Sequence, residues 1–341
     1  MKLPKPRGPV SATLAAALRQ SASAGETAAI HEALQQLQHT GSIFYDEDLQ
    51  VALFMLYELH YRGFDEVDEA WEWDPGLLSV RNHIEMVFES ALRQGVGEVP
   101  TAEPEAQAVA EALFALAGED GGPSVSTYVA RHATVEQARE LLVHKSPYQL
   151  KEADPHTWAI PRLTGRAKSA LVEIQADEYG GGRAGRMHSE LFASTMEGLG
   201  LDSAFGAYID VVPAVSLASV NAMSLFGLHR RFRGAIVGHL AMYEMTSSIP
   251  QARYARGFRR LGFDSPVTDY FDEHVEADAV HEQIAGRDLA GGLVEEEPVL
   301  AADVFFGAAA VGFLDGLVAH WQLEAWEKQE SSLLRPIEVA S

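Results

Sequence analysis

The sequence contains no cysteine. Disulfide bonds, thiolate nucleophiles, zinc–thiolate sites and iron–sulfur clusters all require cysteine sulfur and are therefore excluded. A metal in this protein would have to be bound by imidazole nitrogen and carboxylate oxygen, and such donor sets suit iron, manganese or zinc. The chain has 13 histidines and 49 acidic residues from which such a site could be built.

Basic residues are also scarce. The 26 Lys and Arg are outnumbered by 49 Asp and Glu, and the formal net charge is −23. Nucleic acids and anionic membranes bind clustered Lys and Arg, so neither is an expected partner. A small neutral or cationic substrate is compatible with this charge, and so is an acidic surface that serves only solubility.

Long apolar runs are lacking as well. The N-terminal stretch "MKLPKPRGPVSATLAAALRQ" has an apolar run of only about seven residues before Arg19, too short for a secretion signal. The late stretch "VFFGAAAVGFLDGLVAHW" contains Asp315 and falls short of the roughly 18 apolar residues that a membrane span needs. We therefore expect no membrane span and a cytoplasmic location.

Strand signals are scarce, whereas apolar residues recur at steps of three and four, as in "DEDLQVALFMLYELHYRGF" and "LLSVRNHIEMVFESAL". The sequence therefore predicts an all-α fold. Ser124 or Ser126 is expected to cap one helix, and Thr134 with Gln137 resembles a capping box. Helices are predicted over about 165–180, 186–200, 203–226, 229–247, 250–262, 266–286 and 298–329, with Pro213 and Pro250 expected to kink or start helices.

Candidate ligands concentrate in the second half of the chain. Residues 1–145 lack a ligand set and are expected to form an accessory helical region, followed by a site-bearing domain over 146–330 and a tail over 331–341. A bundle of long helices is a natural place for a metal site built from inward-facing side chains.

The stretch "HVEADAVH" places two histidines and an aspartate on one helix face. At about 100° per residue, His274, Asp278 and His281 lie within a sector of about 60°. Three possible ligands on one face indicate metal binding. The stretch also contains Glu276, so a solvated acidic helix with incidental histidines remains an alternative.

Other candidate ligands lie upstream. Glu244 stands in the apolar stretch "HLAMYEMTSS", where an unpaired carboxylate would be costly to bury. Glu178 and His188 lie about 15 Å apart if one unbroken helix carries both, since each residue rises about 1.5 Å. The glycines in "EYGGGRAG" allow a break that brings them closer, and a plain loop is the alternative.

This ordered set resembles the heme-oxygenase-like diiron oxidases and oxygenases, over roughly residues 145–330. Their pattern is a Glu and a His on the first core helix, a Glu on the second, and H-x3-D-x2-H on the third. The stretch "YQLKEADPHTWAIPRL" adds a carboxylate at a position where N-oxygenating members carry an extra ligand. The resemblance implies a seven-helix heme-oxygenase-like bundle that binds two irons through Glu152, Glu178, His188, Glu244, His274, Asp278 and His281.

The resemblance also implies an activity. Two ferrous ions would reduce dioxygen, the co-substrate, to a peroxo-diiron(III) species that oxygenates nitrogen in an amino-acid, amine or guanidine metabolite of specialised metabolism. An external electron donor, an unknown reductase and a homodimer built through residues 1–145 are expected. No β-pattern follows the last helix, so the cupin-dependent rearrangement of some relatives is not implied.

Two alternatives remain open. A diiron oxidase of the same fold would desaturate a fatty acid or amino acid, or cleave it at carbon, and a non-catalytic helical protein would only bind a ligand. Asp210, Glu173 or Asp177 could anchor a cationic substrate, and Arg162 could receive a carboxylate or form a structural ion pair. Glu58 and His60, two residues apart, lie on different helix faces and are not expected to share a metal.

Overall fold

The computed structural model describes residues 1–22, 27–36, 41–118 and 122–337, with the side chains of residues 276–280 outside the description. Within these ranges the chain forms helices joined by short turns, and it contains no strand. The all-α prediction is confirmed. The helices are α1 Pro9–Leu18, α2 Ala28–Gln36, α3 Glu47–Glu58, α4 Pro75–Val96, α5 Ala106–Ala117, α6 Val125–Arg131, α7 Val135–Gln149, α8 Asp154–Thr157, α9 Gly165–Glu178, α10 His188–Gly198, α11 Ala214–Leu228, α12 Arg233–Arg260, α13 Asp269–Gln283, α14 Gly292–Glu296 and α15 Ala301–Glu327.

The predicted helix starts are confirmed where a side chain caps the backbone. Ser124 Oγ accepts a hydrogen bond from the Thr127 N–H at the start of α6 (3.2 Å). The expected capping box opens α7: Gln137 N donates to Thr134 Oγ1 (3.3 Å), and Thr134 N donates to Gln137 Oε1 (3.0 Å). These bonds satisfy amide groups that have no partner within the helix.

The two prolines behave differently. Pro213 is the N-cap of α11, as predicted, although this helix begins well after the predicted start at 203. Pro250 was expected to kink or start a helix, and it starts none, because it lies inside α12, which continues through it. A proline inside a helix costs about 3 kcal/mol. Packing of α12 against α6, α13 and α15 compensates for this cost.

Helix α12 forms the centre of the bundle and crosses α15 at two glycines. A Cβ atom on Gly238 would lie 1.8 Å from the Val304 carbonyl oxygen, and one on Gly307 would lie 1.9 Å from the Ala235 carbonyl oxygen. The two helix backbones therefore touch at a distance that only glycine permits. This contact fixes α15 against α12.

The N-terminal helices are not separate from the bundle. One apolar core contains residues of α1, α3 and α4 together with residues of α11, α12 and α15. Helix α7 runs through position 145, so the expected boundary between 145 and 146 falls inside a helix. The division into an accessory region, a site-bearing domain and a tail stays a prediction.

The segment after α15 folds back onto α7. His144 forms hydrogen bonds through Nδ1 with Ser216 Oγ (2.8 Å) and through Nε2 with Ser332 Oγ (2.9 Å). Glu140 accepts from the Trp326 indole (2.8 Å) and from the Ser332 amide (2.9 Å). Burial lowers the pKa of His144 to about 4, so its ring is neutral at physiological pH.

One helix meets the length and composition of a membrane span. It covers residues 298–327, and half of its most apolar window is buried inside the protein. The apolar stretch identified in the sequence was judged too short to span a membrane. That judgement did not count the flanking residues that extend the helix at both ends. Buried core helices of non-membrane proteins also meet this criterion, so the expected absence of a span stays a prediction.

Candidate metal centre

Glu178 and His188 meet because the helix breaks between them. Helix α9 ends at Glu178 and α10 begins at His188, with Gly180–Gly182 at φ of 67°, 61° and 73° between the two helices. A Cβ on Gly180 would lie 2.6 Å from the Arg186 carbonyl carbon, so this turn requires glycine. His188 Nδ1 lies 3.1 Å from Glu178 Oε2. The glycine run is therefore the break that the sequence allowed, and the two ligands lie on two helices rather than one.

Helix α13 contributes His274, whose ring is oriented by the backbone. Its Nδ1 donates to the Tyr270 carbonyl oxygen one turn earlier (2.7 Å), which leaves Nε2 directed at Glu152 Oε1 (3.6 Å). The Tyr270 hydroxyl donates to the same Glu152 oxygen (3.0 Å). A second hydrogen bond of this kind commonly fixes the tautomer of a metal-binding histidine.

His281 lies two turns further along α13, and its ring lies between two carboxylates. Its Nε2 donates to Asp177 Oδ2 (3.0 Å), and its Nδ1 lies 3.4 Å from Glu244 Oε2 of α12. Asp177, which the sequence offered as a substrate anchor, thus orients an imidazole. The third candidate on this helix face, Asp278, has its side chain outside the described residues.

The ligand atoms fall into two groups that share one residue. Within each group, all the candidate ligand atoms lie within 4.8 Å of one another. Glu178 belongs to both groups and is in a position to bridge two ions. The first group is Glu152, Glu178, His188 and His274, and the second is Glu178, Glu244 and His281.

The charges in this cluster are strongly coupled. Burial opposes ionisation of Glu178, but the neighbouring His188 outweighs it and holds the pKa of Glu178 below its ordinary value. Burial raises the pKa of Glu244, and the negative charge of Glu178 adds to this effect. Burial lowers the pKa of His281, but Glu244 and Asp177 outweigh it and raise that pKa to about 9. Without metal, protonated imidazoles therefore neutralise the buried carboxylates.

The donor set fits iron. Three buried ligand atoms have no hydrogen-bond partner among the described residues: Glu152 Oε2, His188 Nδ1 and His281 Nδ1. The two imidazole nitrogens lie 3.1 Å and 3.4 Å from carboxylate oxygens without a hydrogen bond of good geometry, and metal ions held by the two groups would coordinate all three atoms. A donor set of neutral imidazoles and carboxylates without sulfur suits ferrous iron.

A cavity of about 1130 Å³ opens onto these ligands. Glu152, Glu178, Glu244 and His274 line one part of it. Other walls come from α7, α11, α12 and α15 and include apolar side chains such as Met223. The volume is sufficient for a small metabolite to reach the ligand cluster.

Other sequence candidates lie outside the cluster. The Asp210 carboxylate accepts a hydrogen bond from the Lys5 backbone amide (2.7 Å). Arg162 donates to the carbonyl oxygens of Gly227 and Leu228 (2.8 Å for Leu228) at the end of α11. Glu173 is exposed and does not line the cavity.

Glu58 and His60 have different partners, and the expectation that they share no metal stays a prediction. Glu58 pairs with Lys151 (2.8 Å), whereas the ring of His60 packs against Trp73 (4.9 Å between centroids).

Two charged cavity residues, Lys145 and Asp315, were not recognised in the sequence. Asp315 had an available signal, because it is an acidic residue in an apolar helix, the same feature that singled out Glu244.

Comparison with known proteins agrees with this geometry. The chain is 30% identical over 186 residues to nitrosourea synthase of Streptomyces achromogenes subsp. streptozoticus, and the match covers 54% of this chain and 39% of that protein. The chain thus spans well under half the length of this relative. A family model described as iron-containing redox enzyme matches residues 139–315, just over half of the chain. With its all-α, heme-oxygenase-like fold, the chain belongs to the iron-containing redox enzyme family.

Proposed function

We propose that this redox enzyme binds two ferrous ions and uses dioxygen to oxygenate nitrogen in an amino acid, amine or guanidine of specialised metabolism. The observation that carries the proposal is the pair of buried ligand groups that share Glu178. A single shared carboxylate with two separate sets of histidine ligands fits two neighbouring ions better than one.

Three observations support nitrogen as the site of oxidation. Glu152 adds a third buried carboxylate to the cluster, and its Oε2 has no hydrogen-bond partner among the described residues. The related nitrosourea synthase is named for a product that contains an oxidised nitrogen. The acidic net charge of −23 would attract a cationic amine rather than a fatty acid.

The iron pair, when bound, would supply two electrons to dioxygen, so that N–H, O2, two electrons and two protons become N–OH and water. The protein's side chains orient the ligands for this reaction. Asp177 holds the proton on His281 Nε2, and the Tyr270 carbonyl holds the proton on His274 Nδ1. The Tyr270 hydroxyl occupies Glu152 Oε1, which leaves Oε2 as the oxygen available to a metal.

The reaction consumes two electrons per turnover and therefore requires an electron donor. We propose an external donor delivered by a reductase. The homodimer and the cytoplasmic location stay predictions of the sequence.

The test is an isotope experiment. Protein loaded anaerobically with Fe(II) is exposed to 18O2 with a panel of amines, amino acids and guanidines, and the products are analysed by mass spectrometry. The expected product is an N-hydroxylated compound that contains oxygen-18. An alkene or loss of a carbon would overturn N-oxygenation in favour of a desaturase or C–C-cleaving oxidase of the same fold. If the protein bound no iron and formed no product, the result would favour the non-catalytic binding protein.

Matched variants control for the site. His281→Ala removes a ligand and should abolish product formation. His320→Ala changes a histidine whose side chain is 68% exposed and which belongs to neither ligand group, so it should leave product formation unchanged.

A further inference from the structure

One wall of the cavity is kept open by small residues of α15. The cavity-facing side of this helix includes Ala308, Gly312, Gly316 and Ala319. A Cβ added to Gly312 or Gly316 would meet no atom within 4 Å. Glycine inside a helix is unfavourable. Its use at two positions one turn apart leaves unfilled space in the wall of the cavity onto which the candidate ligands open.

Asp315 lies on the same wall, within that space. Asp315 is exposed and lines the cavity, and the surrounding protein raises the pKa of its carboxyl to about 6. On the opposite wall, Lys145 of α7 lines the cavity with its ammonium 5.5 Å from the centroid of the Tyr254 ring, within range of a cation–π contact. Enclosure lowers the pKa of Lys145, and the charges of Asp315 and Glu152 oppose this effect.

Lys145 contacts an aromatic ring, but neither charge is paired with a polar group in the described part of the chain. Lys145 and Asp315 form no hydrogen bond and no ion pair with each other or with another described residue. A third cavity residue, Gln251, is 7% exposed, and its Oε1 has no hydrogen-bond partner there either. Opposite charges that line one cavity without pairing are available to a ligand that carries the complementary charged groups.

Lys145 shares its cavity with the candidate metal ligands. Lys145 lies near the end of α7 and Glu152 lies in the turn that follows the helix, and both side chains line the cavity. A substrate anchored at Lys145 and Asp315 must therefore extend toward the ligand cluster.

We propose that Lys145 and Asp315 form the subsite that recognises the α-carboxylate and α-ammonium of an amino acid, whose side chain carries the reactive nitrogen toward the metal ligands. This inference rests on the proposed function, because it places the substrate nitrogen at the diiron site. It narrows the substrate from amines in general to amino acids with a terminal amine or guanidine.

The test uses three probes that differ by one group. L-lysine has both α groups, cadaverine lacks the carboxylate, and 6-aminohexanoate lacks the α-ammonium. Affinity is measured by isothermal titration with metal-free protein and with iron-loaded protein without oxygen. The wild type should prefer L-lysine over each of the other two by about 10- to 100-fold, as expected for hydrogen bonds to charged groups.

Each variant should remove one preference only. Lys145→Met should bind L-lysine and cadaverine equally well, and Asp315→Asn should bind L-lysine and 6-aminohexanoate equally well. Asp303→Asn is a matched control, because Asp303 lies on the same helix, faces Arg93 (3.9 Å) and does not line the cavity. The preferences should be unchanged in that control.

Several results would overturn the inference. It fails if no probe binds, if the wild type shows no preference, or if either preference survives in its variant. A structural role would instead make the double variant Lys145→Met/Asp315→Asn unfold at a lower urea concentration, whereas we expect it to be as stable as the wild type. Failure of the proposed function is distinguishable, because it would appear as missing iron or missing oxygenation while the preferences persist in metal-free protein.

Discussion

Three glycines of helix α15 should respond to the same substitution with opposite signs. Gly312 and Gly316 face the cavity, and a Cβ at either position meets no atom within 4 Å. Gly307 faces α12, where a Cβ would lie 1.9 Å from the Ala235 carbonyl oxygen. Replacement by alanine therefore tests whether the cavity wall is open in solution.

The magnitudes follow from helix propensity and overpacking. Alanine is favoured over glycine inside a helix by about 1 kcal/mol, so Gly312→Ala with Gly316→Ala should raise the free energy of unfolding by about 2 kcal/mol. Gly307→Ala gains the same propensity but forces two helix backbones apart, at a typical cost of about 1–3 kcal/mol or more. Since a clash with backbone cannot be relieved by a side-chain rotation, we expect a net loss.

The assay is urea unfolding followed by far-ultraviolet circular dichroism, with L-lysine binding measured in parallel. The double variant at 312 and 316 should unfold at a higher urea concentration than the wild type and bind the probe more weakly, because two methyl groups narrow the cavity. If Gly312→Ala were destabilising to the same extent as Gly307→Ala, the space beside Gly312 would be filled in solution, and the cavity assignment would be wrong.

Three further predictions concern buried groups around the site. Asp177→Ala should lower Fe(II) affinity about 10- to 100-fold in a metal titration, because the His281 ring loses the acceptor that orients it. Lys151→Met should cost about 3–5 kcal/mol in urea unfolding by leaving Glu58 buried and uncompensated, and the added change Glu58→Leu should restore most of that stability. The pKa of His144 is depressed to about 4, so its neutral form stabilises the fold; up to about 3 kcal/mol should be lost as pH falls from 6.5 to 4, and His144→Gln should flatten that profile.

The ligand cluster was predictable from the sequence to the extent that it depends on local spacing. His274 and His281 share a helix face by periodicity alone, and Glu244 stands out as a carboxylate among apolar neighbours. The glycines between Glu178 and His188 signalled a break, and the structure uses that break to bring the two side chains to 3.1 Å. Family resemblance then supplied the remaining order of ligands.

Features that depend on the packing of one helix against another were not predictable from local spacing. The sequence pattern of α9 predicts that Asp177 is exposed to solvent. Only the packing of α9 against α13 makes Asp177 a hydrogen-bond partner of His281. Pro250 predicts a helix break locally, but tertiary packing on both sides keeps α12 continuous. Lys145 gave no signal in the sequence, because a lysine on a helix is most often solvated. It lines the cavity only because other helices enclose that side of α7.

The most direct test of the diiron assignment is the number of Fe(II) ions bound per chain under anaerobic conditions. The shared position of Glu178 predicts about two ions per chain in the wild type and a loss of both on Glu178→Ala, whereas the exposed Glu173→Ala on the same helix should still bind about two. One ion or none in the wild type, or two ions retained in Glu178→Ala, would contradict the assignment.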